Sequence, residues 1–330
     1  MAAAFDGATI LVTGGGGFVG RHLLAALAES GQEHCHATTL ELRHRLARES
    51  AVQWHGLDIT DRETTIDLLG VIKPDVIFHL AAQAHVPTSF TNPELTWQVN
   101  LHGTLNLLEA ATRANPRATF INVGSSDMYG ASFHNGEAVT EITPFLPLNP
   151  YAASKAAADL AAFQYSANSS LKIIRARPFN HTGPGQSEDF VLPAFAAQIA
   201  RIEAGLQEAV IAVGDLSGER DFLHIADVVS AYMGLAERAK DIPSGTAFNI
   251  SSGQARTIAE LLEAMLDACS TPIRVQRDPS RLRPVDIRRV CGASDAIQAA
   301  TGWAPQRSSA GIIADLLEHW RDRIQTRGSQ

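Results

Sequence analysis

The chain has 330 residues, 45% of them hydrophobic and 19% charged, with a formal net charge of −8 at pH 7. That length suits two domains, or one with an appended lobe, and the apolar fraction excludes a mainly disordered chain. The acidic balance argues against a nucleic-acid partner, though a local basic pocket for phosphates remains open. The longest uncharged runs, such as 76–93, carry His, Gln, Pro and Ser, so none reads as a membrane span. MAAAFDG lacks a basic region followed by an apolar one, so no secretory signal is read there. Cys35, Cys269 and Cys291 are too widely spaced for a disulfide framework or a zinc pattern. The expectation is a soluble cytoplasmic protein.

In chain order, ATILVT (8–13) reads as a buried strand, and GGGGFVGRHLLAALAES as a glycine turn entering a helix. AVQWHGLD (51–58), DVIFHLAA (75–82), ATFINVGSS (118–126) and LKIIRARP (171–178) are further strands, with helical segments at 61–72, 94–114 and 150–168. Strands separated by helices of that length predict right-handed crossovers and a doubly wound parallel sheet. Both faces of such a sheet are covered, which accounts for its almost wholly apolar strands. After residue 178 the texture changes to polar, proline-broken loops, NHTGPGQSED and QRDPSRLRPVDIRR. The reading is a dinucleotide-binding domain at 1–177 with about 221–253 returning to it through a helix at 225–239 and a strand at 246–250. A smaller mixed α/β lobe takes 178–220 and 254–330.

TGGGGFVG follows a strand and opens a helix, the context in which glycine spacing carries meaning. Either Gly14 or Gly15 forms the tight turn, Gly17 lets the backbone approach a pyrophosphate, and Gly20 lets the helix pack on its strand. A cofactor with a free ribose 2′-hydroxyl calls for a carboxylate at the end of the second strand. The residue there is Thr38, followed by Arg43 and Arg45, which suit a 2′-phosphate; Glu41 is the competing feature. NADP(H) is therefore expected over NAD(H). Asp58, past the next strand, is placed to accept from an adenine amino group or to cap a helix.

In NPYAASK, Pro150 suits a first helical turn, and Tyr151 and Lys155 share one helix face. A lysine beside a phenol favours the phenolate and lowers its pKa. Ser125 and Ser126 end the preceding strand, where a hydroxyl can bond a substrate oxygen whose charge changes during hydride transfer. His79, His85, His102 and His224 have no metal-ligand spacing, and no metal is expected.

These motifs resemble the extended short-chain dehydrogenase/reductase family of nucleotide-sugar enzymes over nearly the whole chain, which implies a Rossmann-type fold. HLAAQAHVPTSF, RPFNHTGPGQ, GERDF and LRPVD look most like the branch acting on GDP-linked sugars. The resemblance implies that Ser125 faces the sugar's 4-oxygen, Tyr151 donates the proton and Lys155 holds the nicotinamide ribose. On the cofactor side it implies backbone N–H groups of Phe18 and Val19 at the diphosphate. It adds contacts from Ile59, Leu80, Ala81, Ala82, Val123 and Pro178, with His181 as an orienting residue. On the substrate side it implies Gln83, Ser126 and Asp127 near the sugar, Asn180, Arg220 and Arg283 on the diphosphate, and Val191 and Leu192 near the base. Arginine's planar fork suits phosphate oxygens, whereas Arg288 and Arg289 read as surface ion pairs. A homodimer is implied as well, through the alanine-rich helix at 151–167.

The expected activity is NADPH-dependent reduction of the 4-keto group of a GDP-linked 6-deoxy sugar. A dehydratase would need an acid for the leaving hydroxyl, and the related dehydratases carry Glu where this chain has Asp127. A 4-epimerase and a non-catalytic NADP(H)-sensing protein are the other readings.

Overall fold

The computed structural model describes residues 5, 7–41, 52–281 and 287–328. The chain opens with β1 (Ile10–Thr13), α1 (Phe18–Glu29), β2 (Cys35–Thr39), β3 (Val52–Gly56) and α2 (Arg62–Ile72). β4 (Val76–His79) then leads through α3 (Val86–Thr91), α4 (Pro93–Trp97) and a π-helical turn, Gln98–His102, into α5 (Gly103–Ala114). β5 (Thr119–Val123), α6 (Pro150–Asn168) and β6 (Lys172–Pro178) follow. The later part holds β7 (Asn180–Thr182), α7 (Val191–Glu203), β8 (Val210–Val213), β9 (Glu219–His224), α8 (Ile225–Glu237) and β10 (Ala247–Ile250). It ends with β11 (Ala255–Thr257), α9 (Ile258–Asp267), β12 (Arg274–Arg277), β13 (Arg289–Val290), α10 (Asp295–Thr301) and α11 (Ser309–Gly328).

The main sheet has seven parallel strands in the order β10-β6-β5-β4-β1-β2-β3. Strand order reverses at β1, and in such sheets ligands bind in the crevice at the carboxyl ends of the strands. One face is covered by α1 and α8 through Leu23, Leu27, Val228 and Tyr232. The other is covered by α2, α5 and α6 through Leu69, Leu107, Leu108 and Ala162. β1, β4 and β10 are consequently buried at every residue.

The segment 94–114, which reads as one helix, is divided. Asn92 caps α4 with Pro93 in its first turn, and the π turn then widens the helix around Asn100, which is 1% exposed. Single π turns inside helices are frequent at functional sites. α6 starts as its sequence predicts: the Asn149 side chain accepts from Ala152 N–H, and Pro150 occupies the first turn.

A separate core lies among α7, α9 and α11, built from Leu192, Phe195, Leu261, Leu316 and Trp320. Beside it β9 pairs with β7, β11 and β13, and β12 pairs with β8. Ile297 of α10 and the following Trp303 pack into the core of the large sheet instead, and Trp303 donates to the Asp227 carbonyl at 3.0 Å. Among the described residues, no helix is long and apolar enough to cross a membrane.

Candidate active site

The structure chooses between the two glycine spacings. Gly14 adopts φ +69°, and a Cβ there would lie 2.8 Å from Ala81 N, so Gly14 makes the tight turn against the end of β4. A Cβ on Gly20 would lie 2.5 Å from the Gly14 carbonyl, so α1 can approach the turn only with glycine there. Gly17 precedes α1 without a side-chain cap, and no carboxylate stands in the first helical turn. The N–H groups of Phe18 and Val19 are thus among the four that a helix start leaves without an intrahelical partner. A turn with no room for side chains and an uncapped helix N-terminus fit a dinucleotide diphosphate.

Thr38 is buried and built into this turn: Gly14 N–H approaches its Oγ1 at 3.4 Å, and Gly15 N–H donates to its carbonyl at 2.9 Å. β2 ends one residue later, at Thr39, so no carboxylate closes the strand. Arg43, Arg45 and Arg283 lie outside the described residues. Asp58 is exposed and accepts from the N–H and hydroxyl of Thr60, and the cap of α2 is Asp61. Ile59 is buried beneath it. Leu80, Ala81 and Ala82 run directly past the glycine turn, with Ala81 N–H on the Thr13 hydroxyl. His181 donates from Nδ1 to the Phe179 carbonyl just after Pro178 at the end of β6. Its ring lies parallel to Phe18, with centroids 6.3 Å apart, so it links the β6 edge to the start of α1.

Ser125, Tyr151 and Lys155 meet at the carboxyl ends of β5 and β6. Ser125 Oγ accepts from Asp127 N–H at 3.2 Å, and its hydroxyl faces the Tyr151 phenol. Burial and the nearby Asp127 carboxylate push that phenol above the ordinary tyrosine range, and the Ser125 bond offsets them only in part. The expected lowering by Lys155 is corrected here. The ammonium donates to the Val123 carbonyl at the end of β5, and burial lowers its own pKa to about 8 against an opposing pull from Asp159.

Asn100, which carries no motif, joins this group. Its amide donates to Ser154 Oγ at 2.9 Å and to the Gln83 carbonyl, and it accepts from Gln83 N–H. Ser154 donates to the Tyr151 carbonyl, so the π turn is tied to the first turn of α6. The one sequence hint is a polar residue inside an otherwise helical stretch. Gln83 is itself engaged: its side chain donates to Thr96 and accepts from His85 N–H, which makes it a frame for its own loop.

On the sugar side, Ser126 is buried and Asp127 lies beside the phenol. Asn180 stands on β7 opposite Phe222 of β9. Val191 is 37% exposed at the start of α7, whereas Leu192 is fully buried and reaches a cleft that Arg220 also lines. The neighbouring carboxylates are engaged elsewhere, Glu219 with Arg289 and Asp221 with the N–H groups of Ser252, Gly253 and Gly292. The histidines have local roles: His79 bridges Thr13 and Thr104, and His224 caps α8.

A doubly wound sheet, a glycine turn at its switch point and a Ser–Tyr–Lys set define an extended short-chain dehydrogenase/reductase, a nicotinamide-dependent oxidoreductase. The family model described as GDP-mannose 4,6 dehydratase matches residues 11–316, and the chain belongs to that family. It is 36% identical to the GDP-6-deoxy-D-mannose reductase of Pseudomonas aeruginosa, over 96% of this chain and 98% of that one. The structure of RMD from Pseudomonas aeruginosa complexed with NADPH superposes with a TM-score of 0.82 at 35% identity, over 96% and 99% of the two chains. That of Thermus thermophilus UDP-glucose 4-epimerase complexed with NAD gives 0.83 at 28% identity, over 95% and 99%.

Proposed function

We propose that this protein reduces the 4-keto group of GDP-4-keto-6-deoxy-D-mannose to give GDP-D-rhamnose or its C4 epimer, using NADPH. The observation that carries the reading is the Tyr151 phenol, buried beside Ser125 and Asp127 and one helical turn from Lys155. A reduction needs a proton donor at the new alkoxide, and a phenol with a raised pKa keeps its proton near neutral pH.

When bound against the glycine turn, NADPH supplies the hydride. Phe18 and Val19 would hold its diphosphate through backbone N–H groups, and Lys155 its nicotinamide ribose. Ser125 bonds the sugar's 4-oxygen and Tyr151 delivers the proton to it. Asn100 fixes the first turn of α6, and with it the position of Tyr151. NADP(H) is favoured over NAD(H) because β2 ends on Thr38 and Thr39 rather than an acid, and the similar RMD was solved with NADPH. Asp127, one methylene shorter than the glutamate of the related dehydratases, and the 36% identity to a reductase both support reduction over dehydration.

The same reading divides the chain at 1–177 with about 221–253, for the cofactor, and 178–220 with 254–330, for the sugar nucleotide. The independent core of α7, α9 and α11 supports the second unit, although α10 packs on the first. A cytoplasmic homodimer completes the proposal. Incubation with the freshly made keto sugar and NADPH tests it: one NADPH consumed per sugar is expected. Conversion of GDP-mannose to a keto product without net NADPH oxidation would replace it with a dehydratase, with Asp127 as the elimination acid.

A further inference from the structure

β9 and β11 run antiparallel, and their register sets Arg256 directly opposite Arg220. Residues so paired have Cβ atoms roughly 5 Å apart, and like charges in that position destabilise a sheet. The surrounding acids do not relieve the pair through Arg256. Glu219 is taken by Arg289, Asp221 by Ser252 and three backbone N–H groups, and Glu260 by the N–H of Thr257 in the capping box of α9. The pKa of Asp215 is held low by its bonds with Ser217 and by the Arg277 and Arg220 charges. Among the described residues the Arg256 side chain makes no hydrogen bond or ion pair, and only its backbone is engaged, in the ladder with β9.

Arg220 and Arg256 both line one shallow open cleft, whose wall is largely apolar, with Leu192, Leu261 and Ile312, and whose edge carries Gln254. Arg256 is exposed and Arg220 half-buried, so an anion can reach this edge of the sheet from solvent. Arg220 donates to the Glu219 carbonyl at 2.9 Å, and a second forked donor on the opposite strand adds the N–H groups that the several oxygens of a diphosphate call for.

We infer that Arg256 is a second phosphate-binding residue of the sugar-nucleotide site, clamping the substrate diphosphate together with Arg220. The inference rests on the proposed sugar-nucleotide reading of this site. It adds a residue on β11, where the sequence shows no motif, and makes the cleft selective for nucleoside diphosphates over monophosphates.

Calorimetric titration of the full chain with GDP, GMP and guanosine tests it. Arg256→Ala should weaken GDP binding by roughly 10-fold or more, the usual loss of a charged hydrogen bond, leave guanosine unaffected and affect GMP less. Arg256→Lys, which keeps the charge without the fork, should fall between. In turnover, Arg256→Ala should raise KM for the keto sugar while kcat changes little, the pattern of lost ground-state binding. Because the substitution removes a like-charge pair, the ligand-free melting temperature should hold or rise. Equal GDP affinity in wild type and Arg256→Ala, with loss in Arg220→Ala, would overturn the role of Arg256 and leave the site reading standing. A melting temperature several degrees lower with parallel losses for all three probes would make Arg256 structural and overturn it too. If GDP does not bind the wild type, the site reading and the clamp fall together.

Discussion

A general acid is effective only if it still carries its proton when the substrate arrives. A phenol meets that condition near neutral pH, and at Tyr151 desolvation and Asp127 extend it to higher pH, with Ser125 offsetting them in part. Tyr151→Phe should therefore lower turnover on the keto sugar by roughly 10²–10⁴-fold, with NADPH affinity little changed. Steady-state rates beside a cofactor titration separate the two effects. Near-full turnover in a folded variant would move the proton to Asp127 or His181.

Lys155 gives a pH prediction of definite sign. Its pKa is about 8 in the folded chain against an ordinary 10.5, so between these values the folded state binds fewer protons than the unfolded state. Stability contributed by this group therefore rises with pH through that window, the reverse of a salt-bridged lysine. The ammonium that would hold the nicotinamide ribose is lost over the same range, so kcat/KM should fall above about pH 8. A kcat/KM profile flat to pH 10 would contradict this assignment. The residues of this group stand out in the sequence because Tyr151 and Lys155 are four apart on one helix and Ser125 ends a strand. Spacing does not say which acceptor a long side chain reaches, and the Val123 carbonyl captures the ammonium expected beside the phenol.

Among the elements, α1 and α6 position the site, and each is held by a contact that can be broken. Gly20→Ala would drive a Cβ into the Gly14 carbonyl and push α1 off the turn. The expected cost is about 1–3 kcal/mol of stability, the range for overpacking a tight site, with weaker cofactor binding. Thermal denaturation and an NADPH titration check both. α6 is anchored through Asp159, fully buried, which pairs with Arg177 and Arg175 of β6. Arg177 continues to the Tyr129 hydroxyl and the Glu141 carbonyl. Asp159→Asn leaves two guanidinium groups short of their counter-ion and should cost roughly 3–5 kcal/mol in denaturant unfolding. Loss of less than 1 kcal/mol would show that solvent or Glu141 already compensates the arginines. Asp159 and Asn100 are not legible as functional from sequence. Their partners lie on other elements, and only the folded register of α6 on β6, or of the π turn on α6, brings them together.

For the molecule as a whole, alternation of apolar strands and helices is enough to announce the parallel sheet, since burial on both faces leaves that pattern in the residues themselves. The smaller lobe is harder to read. Its strands are short and pair with partners distant in sequence, and α10 crosses back to the large core. The outer face of α6 carries Leu160 and Phe163, 57% and 50% exposed. On the proposed homodimer these meet a second copy. Leu160→Glu combined with Phe163→Glu should yield a monomer in sedimentation velocity, whereas an unchanged sedimentation coefficient would place the interface elsewhere.

The central claim is that a hydride reaches C4 of a keto sugar while Tyr151 protonates its oxygen. The most direct measurement uses NADPH deuterated at the transferable position of the nicotinamide, with GDP-4-keto-6-deoxy-D-mannose as acceptor and the product read by NMR. The account predicts deuterium at C4 of a 6-deoxy sugar, in amounts matching the NADPH oxidised, and almost none with Tyr151→Phe over the same time. Deuterium at C6, or a product formed without net oxidation of NADPH, would contradict it.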